Sequence, residues 1–325
     1  MASPAQIPID SEYTYHVDDD ARTFSSGRTV ATTTTMYRHE NGRTYHAYRD
    51  GEYWQPNDAQ QNNHEAIVHH LCILTLNDRL YLAPIGSNPK RILDIGTGTG
   101  IWATDIADKF PDAQVIGTDL SPIAPGMQGM QPNVTYEIDD CCSEWVYPDN
   151  HFDFVHIRGL FGSIADWPKL YREAFRHLRP GGYIEQLEWS VHNRSSDGTL
   201  SHNNVLARWS QNAIQTGTTM GKTFEIAENM AGLMREAGFV DVVEKRYKWP
   251  IGPWSSDPKL KDIGRWNLLN WEEGMEGWVM AAYTRVLGWS YQQVQDWLQE
   301  VRTALRERRH HVYHEVRLVY ARKPQ

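Results

Sequence analysis

The sequence predicts an α/β fold whose core is a doubly wound, largely parallel sheet. Two observations carry this prediction. From residue 90 onward, short apolar runs alternate with segments of helical periodicity, and strands separated by helices pair in parallel through right-handed crossovers. The first apolar run, RILDI, leads directly into a glycine-rich turn and then a helix, the order found where such sheets bind nucleotides.

The elements follow in order along the chain. A helix is predicted at about residues 58–80, because Pro56-Asn57-Asp58 supplies a start and Ile67 and Leu71 follow at helical spacing. After RILDI come the helix WATDIADKF, the strands QVIGTDL, NVTYEID and FDFVHI, a helix at about 166–178 and the strand YIEQLEW. A helix at about 225–237, the strand FVDVVEKRY and the alternating segment HVYHEVRLVYARKP complete a sheet of seven predicted strands.

This pattern divides the chain into five segments. The start is polar and contains the run TTTT, which is typical of a loose segment. We expect a flexible N-terminal arm at 1–35, an N-terminal helical cap at 36–89, a core at 90–247 with an insertion at 190–224, a helical lid at 248–310 inserted between the last two strands, and the final strand at 311–325.

Composition and charge narrow the class of protein. The 32 basic and 41 acidic side chains give a net charge of −9, which argues against nucleic acid as the main partner. The sequence has no apolar run long enough for a membrane span and no secretory signal, so we expect no membrane association. Three cysteines, two of them adjacent, do not form a disulfide framework, and this favours a reducing compartment such as the cytoplasm.

The glycine-rich turn is the most informative motif. Gly96, Gly98 and Gly100 alternate with Thr97 and Thr99, and such glycines let the backbone pass close to a ligand where a Cβ would clash. The dinucleotide fingerprint needs its third glycine one residue later, where Ile101 stands. The turn is therefore not expected to bind a pyrophosphate.

Acidic residues end three consecutive strands. Asp94 lies in RILDI, while Asp119, followed by Leu120, ends the next strand, where a carboxylate can accept hydrogen bonds from both ribose hydroxyls. The third strand ends at Asp139, Asp140 and Cys141, which are positioned to contact the edge of an adenine ring. Asp94, the glycine turn, Asp119 and Asp140 together form the pattern of class I S-adenosylmethionine-dependent methyltransferases, with S-adenosylmethionine as the cofactor.

A more specific resemblance extends over roughly residues 45–323. The stretches LDIGTGTGIWATDIADKFPDAQVIGTDLSPI, NVTYEIDDCCSEW, FDFVHIRGLFGSIADWPKLYREAFRHLRPGGYIE and KWPIGPWSSDPKLKDIG resemble the fungal LaeA-like methyltransferases. The resemblance implies a Rossmann-like seven-stranded sheet whose last strand is antiparallel, and a role in secondary metabolism. In that family some members methylate small natural products, while regulatory members act in a nuclear complex with velvet-domain proteins.

Both insertions are expected to lie over the carboxyl ends of the parallel strands, where the ligand of such a sheet binds. Together with the helix at 58–80 they are expected to form the acceptor pocket and its lid. The segment 248–310 contains seven of the thirteen tryptophans. Large flat side chains make good walls for an apolar acceptor pocket, but a lid of short helices also needs bulky residues for its own core. Both interpretations remain open for each tryptophan.

Methyl transfer needs alignment and desolvation more than a base. The candidate bases at the active edge are His156, His192, His311 and Glu188, and for each histidine a structural role is the alternative. Arg158 is predicted to grip the cofactor carboxylate or an acceptor oxygen, or else to form an ion pair.

Three further expectations concern ligands and function. By resemblance, Tyr53 closes over the methionine tail of the cofactor, and no residues show the spacing of a known metal site. The leading hypothesis is methyl transfer to an oxygen or nitrogen of a small acceptor. The alternatives are a LaeA-like regulatory subunit with a velvet-type protein partner, which would be nuclear, and a cofactor-bound scaffold that promotes another reaction.

Overall fold

The computed structural model describes residues 6–10, 37–46, 53–123, 131–307 and 309–325. The strands are β1 (Tyr37–Glu40), β2 (Arg43–His46), β3 (Arg91–Ile95), β4 (Gln114–Asp119), β5 (Val134–Ile138), β6 (Phe152–Arg158), β7 (Leu178–Trp189), β8 (Val240–Pro250) and β9 (Tyr313–Arg322). The helices are α1 (Ala59–Thr75), α2 (Ile101–Lys109), α3 (Trp167–His177), α4 (Val205–Met220), α5 (Ile226–Glu236), α6 (Pro258–Arg285) and α7 (Tyr291–Arg306).

Seven strands form one sheet in the order β5-β4-β3-β6-β7-β9-β8. The pairs from β5 to β7 are parallel, whereas β9 runs antiparallel to both β7 and β8. The strand order reverses beside β3, so the carboxyl ends of β3 and its neighbours open a crevice there. The predicted α/β class and the antiparallel last strand are both confirmed.

The parallel strands are buried on both faces, as a doubly wound sheet requires. In β3, Ile92 packs in the apolar cluster that contains Trp102 of α2. The adjacent Leu93 packs in a different cluster with Trp167 of α3 and Met230 of α5. Adjacent residues therefore point to opposite faces, each covered by helices, and the short apolar run in the sequence has this physical origin.

Helices α4, α6 and α7 share a second apolar cluster. Trp209 of α4, Met275 of α6 and Leu298 of α7 are all buried in it. Helix α6 also packs against α1 and β8, and Gly274 of α6 lies so close to His64 of α1 that a Cβ there would clash. The segments predicted as cap, insertion and lid therefore pack against one another. Their division into domains stays a prediction.

Two local differences from the sequence-based expectations have simple causes. The chain before α1 forms a β1–β2 hairpin that was not predicted, with Asn41 and Gly42 at positive φ in its turn. Within the expected flexible arm, residues 6–10 are held in place: the amide of Asp10 donates to the Trp254 carbonyl at 2.7 Å, and Ile7 is buried against Trp254 and Tyr313. The remainder of residues 1–35 lies outside the described residues.

A buried carboxyl group attaches the segment before β3 to the sheet. Glu185 of β7 accepts hydrogen bonds from the amides of Leu82 and Ala83, at 2.8 and 2.6 Å. Burial raises the pKa of Glu185 to about 8. The protonated form is thus favoured in the folded protein across the neutral range.

We expect Glu185→Gln to flatten the pH dependence of stability. Because the pKa of Glu185 is raised from its ordinary value of 4.5 to about 8 on folding, its contribution to stability is fully present below pH 4.5 and is lost as pH rises through about 8. The wild-type free energy of unfolding should therefore fall from pH 5 to pH 9 by about 1–3 kcal/mol more than that of the variant. Urea denaturation at both pH values measures this difference. The control is Glu236→Gln at an exposed position of α5, and identical slopes for Glu185→Gln and wild type would refute the expectation.

Candidate functional site

A cavity of about 190 Å³, here called the main cavity, opens at the carboxyl ends of the parallel strands. Its walls come from the turn after β3, from the residues that follow β4, β5 and β6, and from one side of α1. The predicted residues that line it are Tyr53, Gly96, Thr97, Gly98, Asp119, Leu120, Asp139, Asp140, Cys141 and Arg158. The structure thus brings together residues that are far apart in sequence.

The glycine turn has a backbone that only glycine adopts readily. Gly96, Gly98 and Gly100 have φ of +67°, +58° and +80°. A Cβ on Gly98 would stand 2.6 Å from a carboxylate oxygen of Glu65, and a Cβ on Gly96 would overlap Leu160. The turn therefore leaves its backbone bare toward the main cavity and toward α1.

Asp119 fixes the turn from the end of β4. Its two carboxylate oxygens accept from the amides of Gly98 and Ser121, each at 2.9 Å. Burial raises its pKa, while these two amides lower it. A carboxylate oxygen has a second lone pair, so Asp119 can still accept from a ligand hydroxyl.

The turn after β5 forms the next part of the wall. The Asp139 carboxylate accepts from the Asp140 amide at 2.8 Å, and the Asp140 carboxylate accepts from the Cys142 amide at 2.9 Å. The side chains of Asp140, Cys141 and Cys142 bring potential metal-ligand atoms within 4.8 Å of one another. The expectation that this protein uses no metal stays a prediction.

Arg158 is held at the end of β6 by a histidine of α1. Its Nη1 donates to His69 Nδ1 at 3.1 Å, and His69 Nε2 lies 3.0 Å from the carboxylate of Asp105. Only the tautomer with its proton on Nε2 satisfies both contacts. Burial lowers the pKa of His69, which favours this neutral form. Arg158 is therefore oriented by a hydrogen bond to a neutral imidazole and keeps further donors for a ligand.

A chain of buried polar side chains connects the main cavity to α6. Tyr53 Oη and Gln61 Nε2 both donate to Gln55 Oε1, at 3.1 and 2.9 Å. Gln61 Nε2 also lies 3.4 Å from His64 Nδ1, and His64 Nε2 lies 2.7 Å from Asn270 Oδ1. Burial lowers the pKa of His64 to about 4, so this imidazole is neutral at physiological pH.

Glu65 adds a second buried carboxyl group beside the glycine turn. Its Oε2 accepts from the Thr99 amide at 3.0 Å. Burial, together with the charge of Asp119, raises the pKa of Glu65 to about 7. Two acidic groups thus face the same turn from α1 and from β4, an arrangement that suits a cationic ligand.

A second, smaller cavity of about 60 Å³ adjoins the main one, and we call it the aromatic cavity. Trp189 and Trp278 line both cavities. The aromatic cavity is walled mainly by α4, α6 and the ends of β7 and β9, and its lining residues include Trp54, Phe161, Trp209, Ala213, Thr216, Phe224, Asn270, Trp271, Ala282 and His314.

Comparison with known proteins identifies the family. Residues 66–244 match a family described as a methyltransferase domain. The chain is 41% identical over 283 residues to methyltransferase pytC of Aspergillus terreus, a match that covers 86% of each chain. It is 35% identical over 307 residues to the secondary metabolism regulator LAE1 of Cochliobolus heterostrophus, covering 93% of this chain and 99% of that one. The chain belongs to the fungal LaeA-like S-adenosylmethionine-dependent methyltransferases.

A further LaeA-like relative is named a protein-methionine methyltransferase, laeA of Emericella nidulans. It is 33% identical over 291 residues, covering 89% of this chain and 77% of that protein. These relatives are thus named a methyltransferase, a secondary metabolism regulator and a protein-methionine methyltransferase. Family membership therefore establishes methyl transfer from S-adenosylmethionine as the chemistry. The acceptor has to be inferred from the residues of the site.

The main cavity fits the cofactor of this LaeA-like enzyme. S-adenosylmethionine carries a sulfonium, an ammonium and a carboxylate. Glu65 and Asp119 suit the cationic groups, Arg158 suits the carboxylate, and the bare backbone at Gly98 allows close approach. These four residues do not include a lysine, which P-loop sites use to bind phosphates. This agrees with a cofactor that is a nucleoside without a phosphate.

One predicted cofactor residue lies elsewhere. Asp94 is not part of the main cavity wall: its carboxylate oxygens are 2.7 Å from His156 Nδ1 and 2.6 Å from Thr97 Oγ1, and the side chain is buried. The prediction that Asp94 binds the cofactor stays a prediction. Asp94 holds the second residue of the glycine turn, so it acts on the cofactor site through Thr97.

The predicted catalytic residues at His156 and Glu188 are part of the interior. His156 stacks on Trp102 with ring centroids 3.6 Å apart, and it lines neither cavity. Glu188 accepts from the amides of Leu160 and Phe161, at 3.0 and 3.3 Å, and burial raises its pKa to about 7. Both side chains support the backbone that forms the site, and the geometry does not bring either one to an acceptor.

The remaining candidate bases are also engaged away from the cavities. His311 pairs with Asp197, and this bond lowers the pKa of the partially buried carboxylate to about 2 although burial opposes it. His192 Nε2 lies 2.9 Å from Glu225 Oε1. Neither histidine lines the main or the aromatic cavity. Their proposed role as bases has no geometric support.

The tryptophans of segment 248–310 follow both interpretations. Trp271 and Trp278 line the aromatic cavity. Trp297 is buried in the cluster of α4, α6 and α7, with Trp289 packed against it. Some tryptophans of this segment therefore line the aromatic cavity, and others fill the core between the helices.

The sequence predicted that the helix at 58–80 helps to form the acceptor pocket, but it did not identify which residues of α1 line the site. Gln61, His64, Glu65 and Val68 all line the main cavity and are spaced at i, i+3, i+4 and i+7. That spacing defines one face of a helix. The available signal was that Gln61, His64 and Glu65 share one face of the predicted helix.

We expect Gly98→Val to abolish measurable cofactor binding. A valine would be strained at φ +58° and would displace Glu65 from the turn. Isothermal titration calorimetry with S-adenosylhomocysteine measures the loss, expected to be at least 100-fold in affinity. Gly198→Val is the matched control, since Gly198 has φ +77° and open space around its Cβ position. Unchanged affinity in Gly98→Val would contradict the assignment of the turn.

We also expect cofactor affinity to rise with pH through about 7. Below that pH Glu65 is mainly protonated, and because a cationic ligand favours the ionised form, binding strengthens as the proton is lost. Titrations with S-adenosylmethionine at pH 6, 7 and 8 measure the slope, which Glu65→Gln should reduce and Asp112→Asn, at an exposed position of the α2–β4 loop, should leave intact. A Glu65→Gln slope equal to that of wild type would disprove this role.

Proposed function

We propose that this protein transfers the methyl group of S-adenosylmethionine to an oxygen or nitrogen of a small secondary metabolite. The observation that carries the proposal is the aromatic cavity next to the main cavity, with Trp189 and Trp278 common to both. A cofactor cavity and an adjoining cavity with a shared wall are what a two-substrate transfer requires.

The shape and lining of the aromatic cavity favour a small molecule. Its volume is about 60 Å³, and its walls are packed tryptophans: the ring centroids of Trp209 and Trp271 are 4.9 Å apart, and those of Trp271 and Trp278 are 5.5 Å apart. Ligand sites for small molecules are concave and mostly aromatic or aliphatic, with a few polar groups. An extended protein segment would need a longer, more polar groove.

The residues of this chain contribute positioning and exclusion of water. The cofactor supplies an activated methyl carbon on its sulfonium. The glycine turn and Asp119 bind and orient the cofactor, and Arg158, fixed by His69, holds an anionic group. The aromatic walls remove water from the acceptor, and alignment with desolvation can supply most of the rate of a displacement at carbon.

The relatives support the proposal in part. The 41% identical relative is named a methyltransferase, whereas the relatives at 33–35% are named secondary metabolism regulators or a protein-methionine methyltransferase. The alternative is therefore a regulatory subunit that binds a velvet-type protein. The aromatic cavity favours the enzyme, because protein binding alone does not require it.

The proposal is tested by the destination of the methyl group. Purified protein is incubated with S-adenosylmethionine tritiated at its methyl group and an organic extract of a fungal culture. We expect label in the organic-extractable fraction, and we expect Ala213→Leu, which fills the aromatic cavity, to reduce that label at least tenfold. The control Ala304→Leu makes the same change in the buried face of α7, outside both cavities.

The affinity for S-adenosylhomocysteine should remain unchanged in both variants. Label confined to protein, or equal label in the organic fraction for Ala213→Leu and wild type, would reject a small-molecule acceptor in this cavity. Label confined to protein would favour the regulatory alternative, and a pull-down with a velvet-type protein would then be the informative measurement.

A further inference from the structure

Resting on the proposed function, we infer that the aromatic cavity binds an uncharged, oxygen-bearing aromatic end of the acceptor through three polar atoms: Trp271 Nε1, Thr216 Oγ1 and His314 Nε2. All three residues line this cavity. Each of the three atoms is buried and has no hydrogen-bond partner within the described part of the chain. The side chains are 3%, 1% and 4% exposed.

Unpartnered polar atoms in a protein interior are costly. A buried donor or acceptor without a partner costs about 1–3 kcal/mol, and native structures contain few of them. Three such atoms, together with the buried Tyr283 hydroxyl on the same cavity wall, indicate that a ligand completes hydrogen bonds in this cavity. The three come from α6, α4 and β9, so separate parts of the chain converge on the same space.

The walls exclude a charged ligand. Among the residues that the structure describes, those that line the aromatic cavity include no aspartate, glutamate, lysine or arginine. His314 is neutral, because burial lowers its pKa to about 3. An ion placed here would lose its hydration without gaining a counter-charge, which is strongly unfavourable. A phosphate, a carboxylate or an ammonium group therefore does not belong in this space.

The three atoms also specify complementary chemistry. An indole N–H only donates, so Trp271 requires an oxygen or another acceptor on the ligand. A threonine hydroxyl donates or accepts, and a neutral imidazole offers one role at each nitrogen. A phenolic hydroxyl or an aryl carbonyl satisfies this set, and the surrounding indole rings favour a flat, unsaturated frame.

The size of the cavity sets a limit on the buried group. At about 60 Å³ it is less than half of the roughly 150 Å³ engineered cavity that binds benzene. The aromatic cavity thus takes one edge of a single oxygenated ring. The larger main cavity, which shares Trp189 and Trp278, accommodates the rest of the molecule.

His314 is assigned as a positioning residue and not as a base. A pKa of about 3 makes its imidazole a weak proton acceptor at neutral pH. It supplies a hydrogen bond without introducing charge. The sequence analysis named His311, at the start of the predicted final strand, as a candidate base. His311 lies three residues before His314, and its side chain pairs with Asp197.

The experiment measures binding and does not depend on turnover. The full-length protein, saturated with S-adenosylhomocysteine, is titrated with phenol and separately with benzoate, and saturation-transfer NMR or calorimetry gives the affinities. We expect phenol to bind at millimolar concentration or better and benzoate to bind at least tenfold more weakly. Trp271→Phe and Thr216→Val, which remove one polar atom each, should weaken phenol about tenfold, the equivalent of one neutral hydrogen bond.

The matched control is Trp297→Phe. Trp297 Nε1 is also buried and has no hydrogen-bond partner among the residues that the structure describes, but Trp297 lies in the cluster of α4, α6 and α7 and lines neither cavity. Its variant should bind phenol as wild type does, and all variants should retain S-adenosylhomocysteine affinity.

Several results would overturn the inference. These are an absence of phenol binding to wild type at millimolar concentration, benzoate binding as tight as that of phenol, or the same phenol affinity in Trp271→Phe, Thr216→Val and wild type. Failure of the proposed function is a separate result: tritium label found only in protein, with phenol binding and its dependence on Trp271 intact, would reject small-molecule transfer and keep the recognition site.

Discussion

The buried pairing of Asp94 with Thr97 and His156 is the interaction on which the site depends. Asp94 is at the switch point of the sheet, where the backbone leaves β3 and must enter a left-handed turn. A carboxylate in such a position is unfavourable unless its oxygens are used, and here one oxygen accepts from the turn itself while the other faces the neighbouring strand β6. The Asp94 carboxylate thus belongs to the scaffold, and hydrogen bonds within the protein hold the turn.

With that turn fixed, the remaining carboxyl groups of the site come from outside β3. Asp119 reaches the turn from β4 and Glu65 reaches it from α1. Keeping these groups close together and buried destabilises their ionised forms, which is why their pKa values are raised. Such clustering is typical of functional sites, because a cationic ligand relieves the repulsion when it binds.

The sheet was predictable because each strand is a local pattern, and the glycine turn was predictable because its backbone requirement is also local. The segments of the acceptor side were also predicted, but the residues that meet there were not, because they depend on contacts between distant segments. His64 meets Asn270 across 206 positions, and Thr216, Trp271 and His314 meet only after α4, α6 and β9 have packed. His156 and Glu188 were placed on the correct strands, but the sequence pattern does not distinguish a side chain that faces a ligand from one that supports the backbone behind it.

Trp278 belongs to the wall of both cavities, and this sharing has a consequence for how the enzyme's acceptor range can change. Its neighbour along α6, Gly274, keeps that helix against His64 and hence against the cofactor side. Evolution or engineering at this helix therefore alters donor and acceptor recognition together. Positions such as Ala213 and Ala282, which face only the smaller space, are the ones through which new acceptors can be acquired without disturbing the shared donor.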